Sequence, residues 1–208
     1  MSWLSILQIR VATVFMLDPD IPILLSKLAG KGYITARVKL TLEGATISFL
    51  EPPNVIAGKG TVRIDYNFER RTLGIESSNP QEILYVLNEV EDCLRELNID
   101  IQKALVPYEL IVTAITSLKP KFTDVKYAFK DLLGFNLKLI EGGFISESEE
   151  PTSNKWFHLR IFPIWSSYKA NSKEYLYRVT IIYREERSKI VNFIRDIENV
   201  LRKLLEEV

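Results

Sequence analysis

The chain holds one histidine, His158, and one cysteine, Cys93. A zinc site of the usual kind takes four ligands drawn mainly from these two residue types, so the sequence offers no such site. A thiol–imidazole dyad would require Cys93 and His158 to meet. Cys93 lies beside the apolar stripe of a predicted helix, however, where a small core residue is the simpler reading. No phosphate loop, dinucleotide fingerprint or nucleophile elbow occurs, and Gly58-Lys59-Gly60 is too short to cradle a phosphate, reading instead as a loop between strands. Carboxylates number 27, yet none stands out as a general acid/base pair, and Glu149-Glu150 reads as a solvated loop tip. The residues therefore point away from catalysis, and they call for no metal and no cofactor.

What remains is the chemistry of guanidinium and ammonium groups on alternating strands. In ITARVKLTL (34–42), apolar Ile34, Ala36, Val38, Leu40 and Leu42 alternate with Thr35, Arg37, Lys39 and Thr41. TVRIDYNF (61–68) sets Val62, Ile64, Tyr66 and Phe68 against Thr61, Arg63, Asp65 and Asn67. A period of two places one set on the core side of a sheet and the other in water. By that parity the wet face of the first half carries Gln8, Arg10, Arg37, Lys39, Arg63, Asp65 and Asn67. The second half contributes Glu109, Lys138, His158, Arg160, Arg178 and Arg184, with Trp156, Phe162 and Ile182 on the same side. Basic groups interleaved with aromatic ones suit a polyanion, through phosphate contacts and ring stacking. The candidate nucleic-acid contacts are Arg10, Arg37, Lys39, Arg63, Lys138, Arg160, Phe162 and Arg178. The same residue types also keep an ordinary exposed sheet soluble. The acids gather elsewhere: Glu82, Glu89, Glu91, Asp92 and Glu96 on one helix, and Glu141, Glu147, Glu149 and Glu150 near one loop. A chain of zero formal charge is thus expected to be basic on one side and acidic on another, attracting a polyanion to one face.

The elements that would hold these groups recur. ILYVLNEVEDCLREL (83–97) is echoed by IVNFIRDIENVLRKL (190–204), with Ile83/Ile190, Glu91/Glu198, Leu94/Leu201, Arg95/Arg202 and Leu97/Leu204 identical. Apolar residues at three- and four-residue steps make each an amphipathic helix, and Asn79-Pro80 supplies cap and first turn for the earlier one. The first half reads as a strand (8–16), a helix (21–29), strands at 34–42, 45–50, 61–68 and 72–77, then the long helix. The second half reads as a strand (108–118), a helix (122–133), strands at 135–141, 144–148, 155–165 and 174–186, then the twin helix; Gly142-Gly143 reads as a hairpin turn. Leu118-Lys119-Pro120 stands where Leu17-Asp18-Pro19 stood. The predicted fold is α+β: two pseudo-symmetric β-α-β4-α repeats, 1–100 and 101–208, forming one continuous antiparallel sheet with four helices on one face.

RVATVFMLDPD and LIVTAITSLKPK, each opening a half that a long helix closes, resemble the first strand and turn of the TATA-box-binding protein family. That resemblance implies a saddle-like sheet and DNA in preference to RNA, and it covers nearly the whole chain as element order. The same unit used once resembles helix-grip proteins. Such a fold, with Phe157, Trp165, Tyr175, Tyr177 and Tyr183 on the core side, leaves a second reading open: a carrier or sensor of an apolar small molecule. A protein-interaction scaffold is a third.

The totals agree with a folded, non-secreted chain. Hydrophobic residues make up 47% and charged residues 26% of its 208 positions, enough apolar content for a core. A single cysteine allows no internal disulfide. No signal-peptide pattern appears in MSWLSILQIRVATVFML, and no run approaches the roughly 20 apolar residues of a spanning helix. A cytoplasmic monomer without membrane contact is expected. Three glutamines beside abundant Ile, Glu, Lys and Arg lean towards a thermophilic source.

Overall fold

Alternation along Val62–Asn67 becomes alternating burial: Val62, Ile64 and Tyr66 are at most 2% exposed, while Arg63 points into solvent. The computed structural model describes residues 3–16, 18–41, 44–120, 126–127, 137–138, 141–146, 150, 152–169 and 174–207. In chain order the elements are β1 (Leu4–Phe15), α1 (Ile21–Gly30), β2 (Ile34–Thr35), β3 (Arg37–Thr41), β4 (Gly44–Ser48), β5 (Val55–Lys59), β6 (Val62–Asn67), β7 (Thr72–Ser77) and α2 (Pro80–Glu96). They continue as α3 (Ile101–Ala104), β8 (Leu105–Thr116), β9 (Lys126–Tyr127), β10 (Leu137–Lys138), β11 (Gly142–Ile145), β12 (Trp156–Lys169), β13 (Glu174–Glu185), α4 (Arg187–Arg195) and α5 (Ile197–Glu207).

One nine-stranded sheet runs in the order β11-β12-β13-β8-β1-β7-β6-β5-β2, and every pairing in it is antiparallel. The first strands of the two halves, β1 and β8, lie side by side at the centre, and each is flanked by the last strand of its own half. The inward rows supply Ile9, Val11, Ile64, Ile75, Leu110, Val112, Val179 and Ile181, all within one core cluster. Helix α2 seals that side with Ile83, Val86, Leu87, Val90 and Leu94, packing on β1, β6 and β7, while α4 packs on β8, β13 and α2. Removing a side chain such as Leu94, 0% exposed, would cost about 2–5 kcal/mol. The architecture is α+β, mostly antiparallel.

Local chemistry accounts for the helix starts. The Asp20 carboxylate accepts from the Ile23 amide at 3.1 Å, and the Asn79 side chain accepts from the Gln81 amide at 2.9 Å with Pro80 next in line. Gly32 follows α1 with φ 86°, a left-handed conformation that glycine adopts without strain.

Several elements depart from the sequence-based expectations. Of the two expected strands 34–42 and 45–50, only Ile34–Thr35 joins the sheet, as its edge strand β2, while β3 and β4 form a separate two-stranded ribbon. Their place beside β6 is taken by β5, whose Val55, Ile56 and Ala57 are buried. Gly58 and Lys59 belong to that strand, and the turn is made by Gly60 (φ 62°) and Thr61. Most of the predicted 122–133 helix lies outside the described residues; at 126–127 the chain is extended and pairs with 137–138 in a second small ribbon. Gly142 and Gly143 lie within β11 instead of turning a hairpin. The twin helix is interrupted at Asp196, where φ is −115° and ψ 26°, and the Asp196 carboxylate accepts from the Asn199 side-chain Nδ2 at 2.5 Å. Aspartate is among the poorer helix formers. No helix among the described residues is long and apolar enough to cross a membrane.

Candidate nucleic-acid interface

Residues paired directly across strands share a face, so register alone assembles the outward surface. One row begins with Ile34 and Gly58 at one edge and continues through Arg63, Glu76 and Arg10. It crosses to Ile111, Ile182 and His158 and ends at Ile145 on the other edge. The next row reads Asp65, Gly74, Ala12, Glu109, Arg184 and Trp156. On the other flank Thr113, Thr180 and Arg160 align, and beyond them Ile115, Arg178 and Phe162. Alternation thus brings Arg10, Arg63, Arg160, Phe162 and Arg178 to a single face.

Three of the candidate residues fall elsewhere. Arg37 and Lys39 are exposed on the β3–β4 ribbon, outside the nine-stranded sheet. Lys138 sits on β10, paired with Lys126 in the other ribbon, and its side chain lies outside the described residues. Their alternation belongs to short ribbons that have wet faces of their own.

The two halves of the face differ in charge. In the first, the Arg10 Nη2 donates to the Asp65 carboxylate at 2.8 Å. The pair reaches across β7 at Gly74, where a Cβ would collide with both partners. Glu76, which strand parity in the sequence did not bring forward, lies between Arg63 and Arg10 in the row. Two arginines are therefore matched by two carboxylates there. Among the described residues of the second half, the carboxylate that meets Arg160, Arg178 or Arg184 on this face is Glu109, which pairs with Arg184 at 2.5 Å. Among the described residues neither Arg160 nor Arg178 has an ion-pair partner, and both are exposed.

Aromatic groups order this second patch. The Arg178 guanidinium lies 5.8 Å from the Phe162 ring centre directly across the strand pair, and Arg184 lies 5.9 Å from the Trp156 ring. A guanidinium laid on a ring at an exposed site gains about 0.5–1 kcal/mol and loses rotamer freedom before any ligand arrives. His158 stands beside Trp156 at 5.4 Å. Partial burial, and then the charge of Arg160, hold its imidazole below the ordinary value of 6.5, so it is neutral at neutral pH.

The acids of the α2 helix all have partners, and while Asp92 and Glu96 stay exposed, Glu89 and Glu91 do not face solvent. Glu91, 1% exposed, accepts from Tyr108 at 3.0 Å and from Arg187 Nε at 2.5 Å. Burial would raise the Glu89 pKa, but hydrogen bonds from Tyr33 and Tyr85, with the Lys59 charge, bring it below the usual carboxylate value. Glu82 accepts from Ser77 and Thr61, Asp92 pairs with Arg95, and Glu96 pairs with Lys27. Spacing along one helix cannot reveal such partners, because most come from distant segments. Glu147 and Glu149 lie outside the described residues.

Cys93 is fully buried, with burial raising its thiol pKa. Between sheet and helices the described residues leave a void of about 10 Å³ beside Thr13, Glu91 and Tyr108, room for one water at most. The carrier reading calls for a cavity of a few hundred cubic ångströms, on the scale of small-molecule pockets; beneath α2 the described residues leave no such space, whereas a mainly apolar cleft of about 570 Å³ opens beside Ile101, Leu105, Pro107, Tyr108 and Arg187. Among the described residues no cluster of His, Cys, Asp and Glu could hold a metal ion.

No protein-family model matches the chain, and no curated protein matches it. Among solved structures the chain is similar to Methanococcus jannaschii TBP, at 14% sequence identity and a TM-score of 0.35, over 97% of this chain and 95% of that one. The likeness is one of fold level and bears on no residue's role.

Proposed function

We propose that the protein is a non-catalytic nucleic-acid-binding module that engages its ligand, DNA in preference to RNA, through the open face of the nine-stranded sheet. The observation that carries this reading is the patch on β12 and β13, where Arg160 and Arg178 are exposed without acidic partners among the described residues and Phe162 and Trp156 lie in register with arginines. Guanidinium groups already ordered by rings suit phosphate contacts that position a strand without reading much sequence. Arg63 and Arg10 extend the track into the first half, where Asp65 and Glu76 offset them.

The two halves, 1–100 and 101–208, act on this reading as two copies of one unit in a cytoplasmic monomer. The strand order about the β1–β8 pair supports that organisation, and the short edge strands β2 and β11 leave little edge for a second chain to pair with.

Mobility-shift titrations of duplex and single-stranded oligonucleotides over a salt series test the proposal. Binding should weaken linearly in log–log form. Arg160 and Arg178, with a partial contribution from Arg63 beside Glu76, give a slope between about −1.8 and −2.7 on duplex DNA, at about 0.9 per neutralised phosphate. Absence of retardation at low salt, or retardation indifferent to salt, would refute it.

A further inference from the structure

A polar cleft of about 560 Å³ opens on the same face, at the end of the sheet where the two halves meet. Its floor is the outward row Asn67, Thr72 and Val14, joined by Ala12 and Pro107. The Arg10–Asp65 pair stands on one side, and the Arg184–Glu109 pair stands on the other. Arg184 also donates to the Ser153 carbonyl at 3.0 Å, tying the 152–154 loop over that wall. Arg70 lines the cleft and has no ion-pair partner among the described residues, and Asn54 and Asn154 line it as well.

From this arrangement we infer that the cleft is a binding site for a single nucleotide unit. The volume lies within the roughly 300–1,000 Å³ of small-molecule sites. The short side chains of Val14, Ala12 and Pro107, between polar groups, leave room for a flat ring, and the lining amides of Asn54, Asn67 and Asn154 are of the kind that meets the edges of a base. Arg70, with the remaining N–H groups of Arg10, offers donors for a phosphate. Asp65 and Glu109 fix the geometry of the two wall arginines, so their guanidiniums are pre-oriented. The assignment deepens the polynucleotide reading and rests on it for the class of ligand. The nucleotide is either free or the terminal unit of a strand lying on the face, and both present the same chemistry.

The test is calorimetric titration of the full chain at low salt with adenosine and uridine 5′-monophosphates, and with one oligonucleotide bearing or lacking a 5′-phosphate. Saturable one-to-one binding of a monophosphate is expected. Val14→Trp, at a position 36% exposed, should weaken it at least about tenfold by filling the floor. Arg70→Ala, at an exposed turn, should weaken it roughly tenfold by removing a charge-assisted hydrogen bond. Tighter binding of the 5′-phosphorylated oligonucleotide would assign the site to strand ends; equal binding of both forms would assign it to free nucleotides. No saturable binding of either monophosphate, or binding that Val14→Trp leaves intact, would overturn the inference. If the wild-type chain then still retards oligonucleotides with the expected salt slope, the cleft assignment alone has failed; if it does not, the broader reading falls with it.

Discussion

Arg10 shows how a side chain's surroundings decide its role. It belongs to the basic set on the sheet's open face, yet its Nη2 is committed to Asp65 at 2.8 Å, with both partners about a quarter exposed. A pair that exposed contributes at most about 1 kcal/mol to stability, while the carboxylate cancels a positive charge where a phosphate would approach. Asp65→Asn should therefore cost less than about 1 kcal/mol in denaturant unfolding and strengthen binding of duplex DNA at low salt. The log–log salt slope should steepen by about one unit as Arg10 becomes available to a phosphate. Unchanged affinity and slope would place Arg10 outside the binding surface. Period-two alternation suffices to put Arg10, Arg63 and Asp65 on the same side. It cannot reveal that Arg10 and Asp65 touch, because they sit on strands separated by β7 and meet only where residue 74 has no side chain.

Among the elements, α2 is the one whose charge misleads in the sequence, and its surroundings explain why. Its apolar stripe is legible from three- and four-residue spacing, and Ile83, Val86, Leu87, Val90 and Leu94 are all buried. Its acids are legible only as charges, since their partners Tyr33, Lys59, Tyr108 and Arg187 come from other segments of the fold. Strand β5 escapes for a related reason: a short buried run such as Val55-Ile56-Ala57 carries no alternation to distinguish it from a loop. The Glu91–Arg187 pair joins α2 to α4, the two helices that echo each other in sequence. Removing the cation leaves a carboxylate 1% exposed, short of its main partner, which costs about 3–5 kcal/mol. Arg187→Met should thus lower the unfolding free energy by roughly that amount. Arg187→Met combined with Glu91→Leu should recover much of the deficit, because no buried charge then remains. A double variant as unstable as the single would show that the pair's hydrogen bonds, and not its unpaired charge, carry the stability.

At the scale of the whole molecule, the strand order sets β1 beside β8 and gives each half its own stretch of open face, while charge breaks the equivalence. In the first half Arg10 and Arg63 share their row with Glu76, and Arg10 pairs with Asp65 of the next row; in the second, Arg160 and Arg178 have no carboxylate partner among the described residues. Counting charges along the sequence makes both halves look basic, because that count leaves Glu76 off the wet side and puts the Arg37 and Lys39 strand in the sheet. A polyanion should therefore bind off-centre, with most released counterions coming from the β12–β13 side. The double substitution Arg160→Ala and Arg178→Ala should reduce the salt slope by about two units, one for each phosphate left without its guanidinium. Arg63→Ala should reduce it by less than one, since Glu76 already offsets that charge. All three side chains are solvent-exposed, so each change should leave stability within about 1 kcal/mol, including the loss of the Arg178–Phe162 contact, and any drop in affinity can be read as a binding effect. Equal drops from the two halves would mean that the ligand straddles the β1–β8 seam symmetrically, and the charge asymmetry would then have no part in recognition.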